Sequence, residues 1–491
     1  MSTRPENRSA EGVRVGWAQA DITPDQPVAV VGQFHVRISE KVLDPITATV
    51  MAIESGEEQV VFVSCDLVGI PDVLRDAVRS KLPEGIRPES VVMNATHTHT
   101  GPEVRLPDPA YGNTSCGDGA DLPIMPAEEY PNFASTRIAQ AIELACATRA
   151  RAKIAYGLGF AVVGRNRRWV SVEAASTMYG NTDTPAFSHI EGYEDHSVNV
   201  LAAYDTAGTL TGVVVNVPCP SQVDEGLFAL SADYWHDTRQ ELRCRLGEHV
   251  HVLAQCSAAG DQSPHPLFEK QAQQRMWKLA GLTERQVIAN RISDVVTDTL
   301  KHIRDTTTEG LVLRHQVQRL DLPLAPVTAA QANEAQGEAE AWGARYDEER
   351  QKLENAPELR DEPRWYVEIT RAYRRREWYA GVVDRFRQQG DHPTRAAELH
   401  FIRLDDIAFA TNPFEYYLDH GIYIKCRSKA VQTFLVQLAG GGTYVPSVRS
   451  TQGGGYGSIP ASNPLGPDAG RAVAERSVEV INELFGDATT G

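Results

Sequence analysis

Two histidines separated by one residue are the sharpest chemical signal in the sequence. His97 and His99 lie in the run THTH, directly after a short apolar segment. In an extended segment, residues i and i+2 project to the same side, so both imidazoles can converge on one point. Neutral imidazole is the commonest metal ligand in proteins, and two at this spacing suit zinc. A pair of hydrogen-bonded loop histidines is the alternative that the motif alone leaves open.

Other side chains able to take part in catalysis are scattered along the chain. Ser263 lies in a GDQSP turn, where a hydroxyl beside a metal could orient a water or attack directly. The turn is not GxSxG, so it does not indicate the nucleophile elbow of α/β-hydrolases. Glu415 could be a carboxylate ligand or base, or simply an exposed loop residue. Tyr444 and Tyr456 flank a glycine-containing stretch, and Arg167 belongs to a basic cluster that could bind an oxyanion or an anionic substrate group.

These polar residues follow short apolar runs rich in β-branched residues. The runs comprise residues 59–63, 90–95, 211–217, 251–254, 407–410 and 434–438. Their composition predicts strands buried on both faces, and helical stretches such as 134–149 and 285–304 lie between several of them. Strands alternating with helices predict an α/β fold with mixed sheets flanked by helices. In such folds, sites gather at the carboxyl ends of the strands, which is where the polar residues occur.

Residues 328–389 differ in composition, being rich in Glu, Arg, Ala and aromatic residues. Apolar residues recur there at helical spacing in two successive stretches, and Pro363 lies near the start of the second. We predict an antiparallel helical hairpin inserted between strands and packed on the body through its aromatic stripes. A lid over the site or a dimer contact is the second interpretation.

Charge and composition restrict the classes of partner. The 491 residues include 48 Lys and Arg against 65 Asp and Glu, a net charge of −17. An acidic surface repels nucleic-acid backbones and anionic membranes, so we expect neither as a partner. Seven cysteines without a CxxC pair, and no apolar run of the roughly 18 residues needed to span a bilayer, favour a reduced, cytoplasmic setting. We expect a small-molecule substrate, and the sequence leaves a homo-oligomer open.

Taken in order, the motifs resemble those of the neutral (non-lysosomal, alkaline) ceramidase family. The matching blocks are 16–24 (GWAQADITP), 61–66 (VFVSCD), 94–102 (NATHTHTGP), 165–168 (RNRR), 259–264 (AGDQSP), 412–415 (NPFE), and the pair Tyr444 and Tyr456. The resemblance therefore extends over nearly the whole chain. It implies a ceramidase-like catalytic domain over residues 13–491, preceded by a disordered N-terminus (1–12).

The resemblance also implies a function and a set of site residues. It implies one zinc ion that activates water for hydrolysis of an amide (C–N) bond, with His97, Glu415 and Tyr444 as ligands. His99, Arg167 and Tyr456 would hold the tetrahedral oxyanion. Ser263 would lie beside the activated water. Zinc supplies hydroxide near neutral pH, and donors aimed at an oxyanion stabilise the transition state.

The sequence departs from the family where a second histidine ligand is expected. Cys219 follows the predicted strand 211–217 at that place. A thiolate can bind zinc, so we predict Cys219 as the fourth ligand, although it donates more charge than imidazole. Loss of the ligand, or its replacement by His196, His236 or His265, are the alternatives.

Two further departures concern the substrate. Only 35 residues follow Tyr456, so the family's C-terminal immunoglobulin-like domain is not expected, and the N-terminal residues do not form a secretion signal. Both favour a small soluble amide over membrane ceramide, with specificity residing in the loop 106–127 and the helical hairpin. A metal-dependent ester or lactone hydrolase, a lyase or isomerase, and a non-catalytic binding protein on the same scaffold are the alternative functions.

Overall fold

The structure is a computed structural model that describes residues 12–104, 122–126, 129–390 and 394–486. The predicted disordered segment 1–12 lies outside these residues except for its last position. Most of the loop 106–127 also lies outside them.

An eight-stranded mixed sheet forms the centre of the fold. Its strands are β1 (Val13–Asp21), β5 (Thr47–Ser55), β6 (Glu58–Cys65), β7 (Val91–Ala95), β8 (Ala150–Phe160), β13 (Ser197–Asp205), β14 (Leu210–Val217) and β16 (His251–Cys256). They are arranged in the order β16-β14-β13-β8-β1-β5-β6-β7. The inner pairs are antiparallel, whereas the two outermost pairs, β6–β7 and β14–β16, are parallel. Parallel outer pairs align the carboxyl ends of their strands, and the site residues follow those ends.

A second sheet packs face to face on the first. It comprises β18 (Leu313–Pro323), β19 (Thr394–Leu404), β20 (Ile407–Thr411) and β22 (Gln432–Val436). Phe409 stands between Phe62 of the first sheet and Phe434 of its own, with ring centroids 4.9 and 4.5 Å away. All three rings are buried in one apolar cluster between the sheets. Burying a phenylalanine side chain contributes about 1.5–3 kcal/mol, so this aromatic layer is a main contact between the sheets.

Helices cover the outer faces of both sheets. On the eight-stranded sheet lie α1 (Asp72–Arg79), α2 (Glu129–Ala147), α3 (Tyr234–Leu246) and α5 (Glu284–Ile303). On the four-stranded sheet lie α8 (Leu418–Arg427) and α10 (Gly466–Leu484). Helices, sheet, sheet and helices thus form four layers. Strands covered on both faces need no polar side, which explains the continuous apolar runs of the sequence.

The predicted helical hairpin is present. Helices α6 (Ala329–Asn355) and α7 (Tyr366–Gln388) lie between β18 and β19, which are antiparallel neighbours. Thr328 begins α6 with a capping box, because its hydroxyl accepts from the Gln331 backbone while the Gln331 side chain accepts from the Thr328 backbone. The hairpin is therefore an insertion that leaves the pairing of the two strands intact.

Short elements complete the chain and surround the site. They are β2 (Ala29–Val30), β3 (Arg37–Ile38), β4 (Lys41–Val42), β9 (Arg165–Asn166), β10 (Arg168–Ser171), β11 (Ser176–Met178), β12 (Phe187–Ile190), β15 (Ala229–Leu230), β17 (Gln262–Ser263), α4 (Lys270–Ala280), β21 (Glu415–Tyr416), β23 (Tyr444–Val445) and α9 (Val448–Gly453). The large sheet also curls, since the side chains of Ser64 and Asn94 both donate to the Ala254 carbonyl of the opposite edge strand. Curling brings the ends of β7 and β16 into one region.

The predicted fold class, mixed sheets flanked by helices with an inserted helical hairpin, is confirmed. Among the residues that the structure describes, no helix is both long and apolar enough to cross a membrane. The domain boundaries drawn from the sequence stay predictions.

Candidate active site

His97 occupies the first turn after β7 in a conformation that few residues adopt. Its φ is +63°, in the left-handed region. The ring Nδ1 lies 2.6 Å from the Val68 carbonyl oxygen. A carbonyl can only accept, so Nδ1 carries a proton, and Nε2 is the nitrogen directed into the site. A backbone carbonyl that fixes the tautomer in this way is the usual support of a metal-binding histidine.

Glu415 is brought to His97 by a different part of the fold. It lies in β21, directly after the second sheet's strand β20, and its Oε2 is 3.3 Å from Nε2 of His97. Burial raises the pKa of Glu415, but the opposing effects of His97 and Arg167 are greater in sum, so its pKa lies below the ordinary value. The carboxyl group is therefore ionised at neutral pH and faces the imidazole as an anion.

Tyr444 is placed beside Glu415 by strand pairing. β21 and β23 run parallel with Glu415 opposite Tyr444, and their side chains share a hydrogen bond. Burial and the Glu415 charge raise the pKa of Tyr444 well above its ordinary value. The Tyr444 phenol therefore remains protonated unless a cation is bound next to it.

Arg167 joins the two halves of the site. Its guanidinium is buried and donates to Oη of Tyr444 at 3.2 Å and to the Gly260 carbonyl at 2.8 Å. The same group lies 3.7 Å from Oε2 of Glu415. It also donates to Tyr179 at 3.1 Å and to Gln222 at 3.3 Å. With this many partners, the guanidinium has one orientation and keeps its charge next to Glu415.

His99 completes the histidine pair. Unlike His97, it does not have a left-handed φ. Its Nε2 lies 3.3 Å from Nε2 of His97, and its Nδ1 lies 3.5 Å from Oε2 of Glu225. Burial, then His97 and Arg167, lower the pKa of His99 well below its ordinary value, so the ring is neutral. Gly32 packs against this ring with φ +105°, and a Cβ there would lie 2.7 Å from the imidazole.

Tyr456 belongs to an aromatic cluster at the mouth of the site. Its ring lies 5.5 Å from that of Tyr444 and 5.9 Å from those of Phe34 and Trp378. The cluster borders a cavity of about 520 Å³ that is also lined by His97, His99 and Glu415. A cavity of this size is in the range of small-molecule sites.

Helix α7 of the hairpin forms one wall of this cavity. Its lining residues recur along one face of the helix: Tyr373, Arg374, Glu377, Trp378, Gly381 and Arg385. The hairpin therefore borders the site, and its apolar residues pack mainly on each other, with Ala461 as a contact from outside the hairpin. A lid or dimer role stays a prediction.

Ser263 is linked to the site through an intermediate residue. Its Oγ is buried and accepts hydrogen bonds from the Tyr179 hydroxyl at 3.3 Å and from the His265 backbone at 3.1 Å. Tyr179 in turn accepts from Arg167. Within the described part of the chain, neither Ser263 nor Arg167 is one of the residues that line the cavity. Ser263 is joined to Arg167 through Tyr179, and its place beside an activated water stays a prediction.

Cys219 lies in a different environment from His97 and Glu415. Its thiol is buried in the apolar cluster beneath α3 and α5 and contacts the Pro220 carbonyl at 3.4 Å. Burial and the neighbouring Cys256 raise the pKa of Cys219 well above its ordinary value, so the sulfur is held as a thiol. The contacts of the described residues do not join Cys219 to His97 or Glu415. Its role as a ligand stays a prediction.

Each of the three alternative histidines lies near a carboxylate. His196 lies 3.2 Å from Glu194, and His236 lies 3.9 Å from Asp44. His265 is the nearest of them to the site, because its Nε2 lies 3.8 Å from Glu225, which also faces His99.

His97, Glu415 and Tyr444 are the residues that could together hold a metal ion. Over the described ranges, no group of three or more His, Cys, Asp or Glu side chains is placed to hold a metal ion, so a site here needs Tyr444 as a donor. The donors that meet here are mixed: an imidazole nitrogen of His97, a carboxylate oxygen of Glu415 and the phenol oxygen of Tyr444. His97 Nε2 and Glu415 Oε2 are 3.3 Å apart, close to the separation of about 3.3 Å that two ligands at ~2.0–2.1 Å have around tetrahedral zinc. Three protein ligands with a free position are typical of catalytic zinc sites.

Sequence reasoning missed Tyr179, Gln222 and Glu225. Gln222 and Glu225 follow β14 just beyond Cys219, so the rule that sites gather after strand ends could have found them. Tyr179 follows the short strand β11, and no motif marks it.

The fold is similar to that of solved ceramidase structures. The neutral ceramidase from Pseudomonas aeruginosa superimposes with a TM-score of 0.64 at 16% identity, covering 98% of this chain and 75% of that one. The chain has the neutral ceramidase fold. A ceramidase complexed with C2 gives the same TM-score and identity, over 96% of this chain and 75% of the other. Neither a protein-family model nor a curated protein sequence matches the chain.

Proposed function

We propose that the protein is a zinc-dependent hydrolase that cleaves an amide bond in a small substrate. The observation that carries the proposal is the meeting of His97, Glu415 and Tyr444 on the wall of a 520 Å³ cavity. The likeness to neutral ceramidases supports an amide as the scissile group.

His97, Glu415 and Tyr444 would hold the metal. When bound, zinc acts as a Lewis acid toward a carbonyl group and makes hydroxide available near neutral pH. The Val68 carbonyl accepts from Nδ1 of His97 and so directs Nε2 into the site, and the parallel pairing of β21 with β23 holds Glu415 and Tyr444 side by side. The chain thus presents three donors in fixed orientations.

Arg167, His99 and Tyr456 would bind the oxygen that becomes negative as the amide carbonyl is attacked. Arg167 is held by Tyr179, Gln222 and the Gly260 carbonyl, so it needs no reorganisation during the reaction. Donors that are oriented in advance are the main source of transition-state stabilisation in acyl transfer. Ser263 contributes indirectly, by fixing Tyr179 through its hydroxyl.

Metal content and amide hydrolysis together test the proposal. Purified protein should contain zinc in a near-equimolar amount and hydrolyse N-acyl amides of short and medium chain length. Glu415→Gln and His97→Ala should lose most of the zinc and the activity, since even residues that support a ligand are worth about 10–100-fold in metal affinity. His302→Ala is the control, because that side chain is 78% exposed and does not line the cavity.

The other outcomes discriminate the alternatives. Cleavage of the matched ester but not the amide would make the protein an ester hydrolase. Normal activity in metal-free wild-type protein, or in His97→Ala, would overturn the metal-dependent mechanism. Ligand binding without turnover of amides, esters or lactones would indicate a binding protein.

The fourth ligand is tested separately. A cobalt-substituted protein shows a sulfur-to-metal absorption band if a thiolate is bound. Loss of that band in Cys219→Ser would support Cys219 as a ligand, and its absence from the wild-type protein would exclude that role.

A further inference from the structure

The charged residues that line the cavity differ in how their charge is balanced. Glu103 pairs with Arg374 at 2.9 Å, and Glu377 pairs with Arg376 at 2.8 Å. The remaining lining acids also have cationic neighbours, namely Arg75 for Asp72 and Arg167 for Glu415. The acidic side of the lining is therefore neutralised by the protein itself.

Arg385 is balanced differently. This residue of α7 donates to the backbone carbonyls of Pro460 and Asn463, the latter at 3.3 Å. Among the residues that the structure describes, no carboxylate is paired with it. Burial lowers the pKa of Arg385 to about 10, and no acidic neighbour offsets that effect.

A guanidinium in this position is suited to bind an anion. Two backbone carbonyls account for two of its five N–H donors. Arg385 is partly buried. A partly desolvated charge without a counter-ion is costly, and an anionic ligand that reaches it is bound more tightly for that reason. The planar fork of arginine matches the two oxygens of a carboxylate.

The position of Arg385 on α7 sets its distance from the reacting groups. Trp378 contacts the ring of Tyr456, which contacts that of Tyr444 next to Glu415. Arg385 follows Trp378 by seven residues, on the order of 10 Å along the helix axis. Apolar groups such as Ala461 also line the cavity, and Pro460 lies at the Arg385 end, where its carbonyl accepts from the guanidinium.

We infer that Arg385 binds a carboxylate of the substrate at the far end of the cavity from the metal ligands. The substrate would then be an amide with an apolar spacer and a terminal carboxylate, such as an N-acyl ω-amino acid or the half-amide of a dicarboxylic acid. The kinetic test of this inference rests on the proposed function. The inferred substrate carries a terminal charge and so differs from an amide with an uncharged alkyl tail.

Paired substrates test the inference directly. We would assay N-hexanoyl ω-amino acids with two to eight methylene groups. Each is compared with the matching compound in which a terminal carboxamide replaces the carboxylate. For the chain lengths that reach Arg385, the carboxylate should have a KM about 10- to 100-fold lower than its carboxamide, as expected for one hydrogen bond to a charged group. Equal KM values across the whole series would overturn the inference.

Variants at Arg385 separate recognition from structure. Arg385→Gln removes the charge but keeps an amide donor for the Pro460 carbonyl, and it should raise KM for the carboxylates alone. Arg385→Lys should restore part of the preference. Arg387→Gln is the control, since that arginine lies on the same helix with 66% of its side chain exposed. An equal change in KM for both members of each pair in Arg385→Gln would assign the residue a purely structural role.

A binding experiment keeps the inference testable if no amide is turned over. Calorimetric titration with N-hexanoyl-6-aminohexanoate and its carboxamide measures recognition without hydrolysis. Tighter binding of the carboxylate by wild-type protein, lost in Arg385→Gln, would support the anion site even if the proposed hydrolase function failed. Equal binding of the two compounds would overturn it. Thermal melting of each variant checks that it folds.

Discussion

Oε2 of Glu415 lies 3.3 Å from Nε2 of His97, although the two residues follow strands of different sheets. His97 follows β7 at the edge of the eight-stranded sheet, and Glu415 follows β20 of the four-stranded sheet. Their meeting depends on the packing of the two sheets through Phe62, Phe409 and Phe434. The site is thus a product of the interface between the sheets.

Arg167 should be sensitive even to a conservative change. Arg167→Lys keeps the charge near Glu415 but loses the fork that reaches Tyr444 and Tyr179 together. We expect kcat to fall about 10²–10³-fold, the usual effect of removing one oxyanion donor. Arg471→Lys serves as the matched control, because that side chain is 74% exposed and does not line the cavity. Unchanged kcat in Arg167→Lys would exclude a role in the transition state.

Tyr179 should behave as a positioning residue coupled to Ser263. Tyr179→Phe removes the hydroxyl that donates to Ser263 and accepts from Arg167. We expect a loss of about 1–3 kcal/mol in the free energy of unfolding and a lower kcat with little change in KM. In a double-mutant cycle with Ser263→Ala, the two effects should be non-additive by about 0.5–3 kcal/mol. Strict additivity would show that the two hydroxyls act independently.

Gly260 should tolerate no side chain. A Cβ there would clash with the Glu415 carbonyl oxygen and lie 2.7 Å from the Tyr417 ring. Gly260→Ala should therefore shift the β21 backbone, cost about 1–3 kcal/mol in unfolding free energy and lower the metal affinity measured by chelator competition. Gly226→Ala is the control, because nothing lies within 4 Å of its added Cβ. Equal stability and metal affinity in the two variants would contradict the close contact between the Ser263 turn and Glu415.

His251 should make the stability of the protein depend on pH. Its ring stacks on Trp17 at 5.7 Å, and burial, then Arg243 and His249, lower its pKa to about 4. The ordinary value is 6.5, so the unfolded chain binds the proton first, and stability is lost as the pH falls from about 6.5 through about 4. The contribution is on the order of 2 kcal/mol after allowance for partial exposure.

His251→Phe tests this dependence while keeping the stacking on Trp17. The variant should lose less stability than wild type between pH 7 and pH 4 in urea unfolding. At pH 7.5 it should be as stable or slightly more so, because Nδ1 of His251 is buried without a hydrogen-bond partner among the described residues. Parallel stability curves for the two proteins across this range would show that His251 does not titrate on folding.

Local patterns were sufficient to predict several of the elements, but not the central strands β5, β8 and β13. The apolar runs at 59–63, 211–217 and 407–410 coincide with β6, β14 and β20, and the hairpin lies within the predicted limits. These features depend on residues close in sequence. A strand buried on both faces gives a continuous apolar run, and a helix gives apolar residues at helical spacing. The ends are less well defined, since 434–438 was predicted where β22 covers Gln432–Val436.

In the candidate site, motifs identify residues, but only the tertiary structure shows their partners. His97, His99, Glu415, Tyr444 and Arg167 could be proposed from the ordered motifs, because each keeps its place in the sequence. Their partners could not. Tyr179 follows the β-hairpin of β10 and β11, which carries no recognisable sequence motif. Its hydrogen bonds to Arg167 and Ser263 depend on how that β-hairpin packs.

The sequence by itself determined the α/β class, the inserted hairpin and several of the strands, because these depend on local periodicity, and the order of its motifs supplied the candidate site residues. Only the tertiary structure decided which of them meet. Sheet packing joined His97 to Glu415, placed Ser263 behind Tyr179 and buried Cys219 among apolar side chains. It also set α7 against the cavity with Arg385 in its wall. Contacts of this kind join segments distant in sequence, so no local pattern encodes them.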